Sequence, residues 1–182
     1  RLTELQSRIR PHFLFNSMNI LAALIPQDAA KAVEFTNRFS KVYRKLLELR
    51  EQPLIDLAQE MEFTESYVFL QKMRFADSLK VQTDLPPAVL SHCLPPFTLQ
   101  ILLENAVKHN RLSEKEPLLI TIGEDGDMLI VRNNFRPRSD EVHSTGVGLQ
   151  NIINRYALLT DRPVWAGERE NEFVVKVPLL NG

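Results

Sequence analysis

The sequence predicts an α+β chain in two parts: an N-terminal helical hairpin, then a mixed sheet covered by helices on one face. Three observations lead there. Ala32, Phe35, Phe39, Val42, Leu46 and Leu49 recur at alternating steps of three and four, the narrow seam of a packed helix. Strand-like alternation begins only at Leu79. Apolar residues make up 44% of the 182 positions and charged residues 25%, which excludes disordered, collagen-like and purely coiled-coil chains.

The elements follow in order. Leu2, Leu5 and Ile9 already have helical spacing, and a first helix continues through Leu24. The stretch 26–31 reads as the turn into the seam helix, and Pro53 interrupts after it. Asp56 with Gln59 resembles a capping pair that opens a helix running roughly to Arg74. Two helices alone bury little, so the hairpin is expected to pair with a second copy as a four-helix bundle. Leu79–Thr83 is a strand before Pro86-Pro87, and Pro95-Pro96 precedes a helix from Phe97 to His109. Strands at Leu118–Ile122 and Met128–Asn133 flank the turn at Asp125-Gly126. A polar loop, 134–145, leads to Gly146-Val147-Gly148 and a helix to about Leu159. Strands Val164–Gly167 and Phe173–Leu179 close the chain.

The single cysteine, Cys93, excludes an internal disulfide framework and a thiolate metal cage, and suits a reducing compartment. The net charge of −1 hides an asymmetry: residues 1–50 carry nine Lys/Arg against four Asp/Glu. A basic front fits an acidic partner. Nucleic acid is a poor fit, because the basic residues are spread through helices without a recognised DNA-binding motif. No run approaches the roughly 20 apolar residues of a membrane span. The absence of a starting Met, with helical spacing from Leu2, predicts a fragment of a longer protein.

Three motifs carry chemistry. In Pro11-His12-Phe13-Leu14-Phe15-Asn16, a turn of about 100° per residue puts His12, Asn16 and Asn19 on one polar stripe. Phe13, Leu14, Met18, Ile20, Leu21 and Leu24 take the rest. Pro11 kinks the helix beside that histidine. In Glu104-Asn105-Ala106-Val107-Lys108-His109, a carboxylate, an amide and a cation share one helical patch, a set suited to a Mg²⁺-bound phosphate chain. In Gly146-Val147-Gly148-Leu149-Gln150-Asn151, glycines before a helix let backbone amides approach a phosphate. The bland alternatives are a surface histidine, a polar helix end and a helix-entry turn.

Together these blocks resemble the LytS-type sensor histidine kinases. Tyr67-Val68-Phe69-Leu70-Gln71-Lys72-Met73-Arg74-Phe75 resembles that family's stretch before its nucleotide domain, and Pro95-Pro96 through His109 resembles its asparagine box. The resemblance implies dimerisation and phosphotransfer helices with a connecting helix over 1–76, then a Bergerat-type (GHKL) ATP-binding domain over 77–182. It implies ATP and Mg²⁺ as cofactors, a homodimer, and a response-regulator aspartate as acceptor. His12 would carry the phosphate and Asn16 would serve phosphate removal. Asn105 would hold Mg²⁺. Lys108 and His109 would lie near the phosphates, and Gly146 and Gly148, with Leu149 and Asn151, would belong to the lid. The resemblance also implies a cytoplasmic domain of a protein anchored in the membrane through an upstream region. No acidic residue follows His12, so a base must come from elsewhere, and Glu104 is the candidate.

One departure stands out. The family's Asp-x-Gly-x-Gly adenine box corresponds here to Val131-Arg132-Asn133-Asn134-Phe135. Asn133 would replace the aspartate, accepting from the adenine amino group without a charge and donating to a ring nitrogen. Asn134 is the alternative reader. The loss of the acid and of the glycine keeps a second function class open: a degenerate scaffold that dimerises and relays signal without turning over ATP.

Overall fold

The computed structural model describes residues 11–49, 52–137 and 147–182; the side chains of residues 11–13 and of Val147 lie outside that description. The expected helical start at Leu2, Leu5 and Ile9 lies outside the described residues too. The architecture is α+β, with three helices followed by a mixed sheet bearing further helices.

Helix α1 spans Pro11–Leu24 and α2 spans Ala29–Glu48. The connecting turn is shorter than the expected 26–31, because Asp28 caps α2: its Oδ1 accepts the Lys31 N–H at 3.0 Å. Ser17, Ile20, Leu21 and Leu24 form the packed stripe of α1. Met18, expected on the apolar arc, is exposed, as is Phe15, because only that one stripe meets α2 and the helix after it.

Residues Ile55–Asp56 form a two-residue strand, β1, followed by α3 (Leu57–Phe75). The seam of α2 is buried largely by α3. Phe35, Val42 and Leu46 share one core cluster with Phe63, Tyr67 and Leu70, while Lys41 pairs with Glu62 at 2.8 Å and Arg38 lies 4.9 Å over the Phe69 ring. The seam is thus satisfied within the chain, and among the described residues of α1, α2 and the turn between them the exposed large apolar side chains are Phe15, Met18, Ile25, Val33 and Leu47. Asp56 precedes α3 but makes no side-chain cap; its Oδ1 instead accepts the Cys93 thiol at 3.5 Å.

After β2 (Leu79–Thr83) comes β3 (Cys93–Leu94), which pairs antiparallel with β1. Then follow α4 (Thr98–His109), β4 (Leu118–Asp125), β5 (Met128–Asn134), α5 (Val147–Ala157), β6 (Trp165–Arg169) and β7 (Glu172–Pro178). The five-stranded sheet has the order β2-β4-β5-β7-β6. The β2–β4 pair is parallel and the others are antiparallel. Leu118, Ile120, Ile122, Leu129, Val131, Val175 and Val177 alternate inward and join the cluster that holds Leu99, Leu102 and Leu103 of α4 and Ile152 and Tyr156 of α5. The division expected after residue 76 falls between elements packed together, since Leu57, Phe63, Tyr67 and Leu70 of α3 belong to that cluster as well.

Candidate functional site

Helix α4 starts in an unusual way. Pro95 and Pro96 are buried, and Phe97 adopts a left-handed conformation at φ 66°, which a bulky side chain takes only under external constraint. The helix therefore begins at Thr98 rather than at Phe97 as expected. Phe97 offers no capping oxygen. Glu60 of α3 fills that role from outside: its Oε2 accepts the Phe97 N–H at 2.9 Å and its Oε1 the Leu99 N–H at 2.8 Å. Glu60 is 0% exposed. Burial pushes its carboxyl up to about 7, although the Leu99 and Phe97 amides and the Arg155 charge all favour the ionised form. Arg155 of α5 reaches the same corner and donates to the Pro96 carbonyl at 2.9 Å.

Two turns along α4 stand the polar residues of the asparagine box. Glu104, half-buried, accepts the Tyr67 hydroxyl at 3.2 Å and the Gln100 amide at 3.0 Å on the same Oε1. Asn105 is half-buried and faces the start of α5. A Cβ built on Gly148 would lie 2.8 Å from Asn105 Oδ1, 3.2 Å from its Nδ2 and 3.2 Å from Ile101 Cγ2. Backbone and amide therefore approach as only glycine permits. Lys108 is exposed, while His109, Leu149 and Asn151 are half-buried. Gly146 lies outside the described residues.

Asn133 sits on β5 opposite Ile120 on one side and Phe173 on the other, and is 4% exposed. Its Nδ2 donates to the Asn134 carbonyl at 2.8 Å, and no partner for its oxygen is found among the described residues. Asn134 is engaged differently: its Oδ1 accepts the Leu119 N–H at 2.9 Å and its Nδ2 donates to the Pro117 carbonyl at 3.0 Å. That clasp to the start of β4 takes both ends of the amide.

His12 is the second residue of α1, with its side chain outside the description, and Asn16 is half-buried one turn later. The site residues thus fall in two groups, one on α1 and one around α4, α5 and β5.

Sequence reasoning missed three supports. Glu60 and Arg155 hold the head of α4. Asn110 holds its foot: it is 2% exposed, donates to the Ala106 carbonyl at 2.8 Å and accepts the Arg136 N–H at 2.6 Å. A cavity of about 330 Å³, lined by Arg111, Ser113, Glu116, Arg136 and Pro137, opens beside Asn110 and includes none of the predicted nucleotide residues. Among the described residues there is no cluster of His, Cys, Asp or Glu that would hold a metal by itself, so an ion here would depend on Asn105 and on oxygens of a bound phosphate chain. No described helix is long and apolar enough to cross a membrane.

Comparisons with known proteins converge. Residues 1–79 match the family described as Histidine kinase. The sensor protein LytS of Staphylococcus saprophyticus is 32% identical over 85% of this chain and 29% of its own length. The LytS of Streptococcus mutans is 36% identical over 87% and 30%, and the sensor histidine kinase BtsS of Escherichia coli strain K12 is 31% identical over 83% and 27%. The chain therefore spans less than a third of the length of these relatives. Among solved structures, the cytoplasmic segment of histidine kinase QseC shares the fold at a TM-score of 0.51 and 20% identity, over 80% of this chain and 95% of that one.

Proposed function

Since the chain belongs with the LytS-type histidine kinases, we propose that it is the kinase core of a two-component sensor, phosphorylating His12 from ATP and passing the phosphate to a response-regulator aspartate. The observation that carries this reading is the juxtaposition of Asn105 on α4 with Gly148 on α5. A side-chain amide packed against the bare backbone of a helix start sets a candidate Mg²⁺ ligand beside backbone N–H groups that have no partner within the helix, the pairing a phosphate chain needs. The Asn133 oxygen, for which no partner is found among the described residues, fits the adenine amino group. One hydrogen of its Nδ2 is held by the Asn134 carbonyl, so the other is the one that would reach a ring nitrogen of adenine. Asn134, held at both ends of its amide by the start of β4, fits the reader's role less well than Asn133.

In this reading Asn105 would hold Mg²⁺, which offsets the charge of the triphosphate. Lys108, exposed near the end of α4, and His109 beside it would lie near the phosphates. The imidazole nitrogen of His12 attacks the γ-phosphorus, the bond to the ADP oxygen breaks, and the ring proton leaves to a base. Glu104 is the candidate base, already held in place by Tyr67 and Gln100. Asn16, one turn from His12, would orient water during phosphate removal. Phe15, Met18, Ile25, Val33 and Leu47, exposed on the helical hairpin, supply the apolar surface through which two copies would pair. Nucleotide chemistry is assigned to the elements from β1 onward, with α3 serving as a wall of the nucleotide domain as well as a connector.

The scaffold alternative keeps a specific motive, the missing adenine aspartate and glycine. Titration of the chain with ATP in a calorimeter, with Mg²⁺ and with EDTA, separates the two. Mg²⁺-dependent binding supports the kinase, and no heat at millimolar ATP supports the scaffold.

A further inference from the structure

We propose that Glu60, buried in α3, is a positioning residue that sets the register of Asn105 against Gly148 by capping α4 from outside. This rests on the kinase reading above and adds to it a device that the motifs do not contain.

The geometry is a three-element corner. Phe97, the residue that ought to cap α4, is turned left-handed and contributes a backbone N–H instead of an oxygen. Glu60 accepts that N–H and the Leu99 N–H at 2.9 and 2.8 Å, a two-point grip that fixes both the position and the rotation of the helix start. Thr64 donates its hydroxyl to the Glu60 carbonyl at 2.7 Å, and the Phe63 ring meets the Phe97 ring edge-on at 5.2 Å, so the grip is backed on the α3 side. From α5, Arg155 binds the Pro96 carbonyl at 2.9 Å. Helices α4 and α5 therefore touch at two places. Arg155 meets the head of α4, and Gly148, two turns earlier on α5, meets Asn105, two turns later on α4. The helices run antiparallel with one end clamped. A rotation of α4 at Glu60 moves Asn105 across the backbone of Gly148, where less than a side chain's width is available. Hydrogen-bonding partners behind a ligating group commonly change affinity by roughly 10- to 100-fold.

The test uses the 182-residue chain and the variants Glu60→Gln, Asn105→Ala and both together. Glu60→Gln keeps the volume and one acceptor, and a cooperative melt checks its fold. Mg·ATP affinity is measured by calorimetry. The expected result is a loss of roughly tenfold for Glu60→Gln. The double variant should bind no more weakly than Asn105→Ala alone, because a residue acting through Asn105 has nothing left to act on. Additive losses, or parent-like affinity in a folded Glu60→Gln, would overturn the proposal. A second reading needs no nucleotide: the Asn105 side-chain amide signals in a ¹⁵N spectrum should shift or broaden in Glu60→Gln, and unchanged signals overturn the proposal as well. A parent chain that binds no ATP instead refutes the kinase reading, and those Asn105 signals still decide the role of Glu60. Arg155→Met, if Glu60→Gln fails to fold, takes its place with the same two outcomes.

Discussion

Gly148→Ala is the substitution whose effect is best worked from the structure. The added methyl would lie 2.8 Å from Asn105 Oδ1 and 3.2 Å from both its Nδ2 and Ile101 Cγ2. The first distance is far inside contact, and Asn105 has a short side chain that cannot swing away while staying in place. Forcing an extra carbon into a packed contact costs about 1–3 kcal/mol. Alanine returns up to about 1 kcal/mol through helix propensity, and less at the second residue of a helix. If the strain stays, the melting temperature falls by roughly 2–4 °C for each kcal/mol at this chain length. If Asn105 rotates out to relieve it, stability is preserved and Mg·ATP affinity falls, about tenfold per 1.4 kcal/mol. Thermal melts and calorimetric titration on the same samples capture both routes, and the two losses together should amount to roughly 0.5–2.5 kcal/mol once the helix-propensity return is set against the strain. A variant with the parent's melting temperature and the parent's ATP affinity would refute the claimed contact and the site built on it.

The other predictions are these. Asn133→Asp should tighten ATP by roughly tenfold or less, since a charged acceptor forms about twice as strong a hydrogen bond, and Asn133→Leu should abolish measurable binding; equal affinity in all three would remove Asn133 from the site. Asn16→Ala should keep phosphorylation of the chain but slow dephosphorylation of the regulator, and unchanged dephosphorylation rates would dismiss that role. Glu60 predicts a pH dependence of stability. Its folded pKa, about 7, lies above the ordinary 4.5, so between those values the folded chain holds a proton that the unfolded chain has lost. Its contribution is fully present below pH 4.5 and is lost as pH rises through about 7, by on the order of 3 kcal/mol. The groups facing it are Arg155 and Tyr156 of α5 and the two α4 amides. Urea midpoints at pH 5 and pH 8 should differ in the parent and converge in Glu60→Gln; equal slopes in both would contradict the burial argument.

Much of this was legible from residue spacing. The period-two runs located every strand of the main sheet, with some edges extended by one to three residues where turns let pairing continue through Asp125 and Arg169, while Val164 and Leu179 fall just outside their strands. The β1–β3 ladder was not legible, because two residues carry no period. The seam of α2 was visible, but its partner was not. Spacing says that a stripe is buried, and only the fold says that α3 buries it. The motifs named Asn105 and Gly148, which the fold packs against each other, and the blocks were read from their side-chain chemistry. Glu60 escaped because its work is done on backbone amides of another element. One signal was available: Leu57, Glu60, Thr64 and Tyr67 fall on a single helical face, and a carboxylate on a buried face needs donors. Pro95-Pro96 ahead of an uncapped Phe97 offered them.

The most direct test of the central claim is to incubate the chain with Mg²⁺ and ATP labelled at the γ-phosphate, then follow the label through acid and alkali. The kinase account predicts label that is lost in acid and survives alkali, found on His12 and absent from His12→Gln although that variant still binds ATP. Stoichiometric label on His12→Gln, or a parent that binds Mg·ATP yet gains no label, would contradict it.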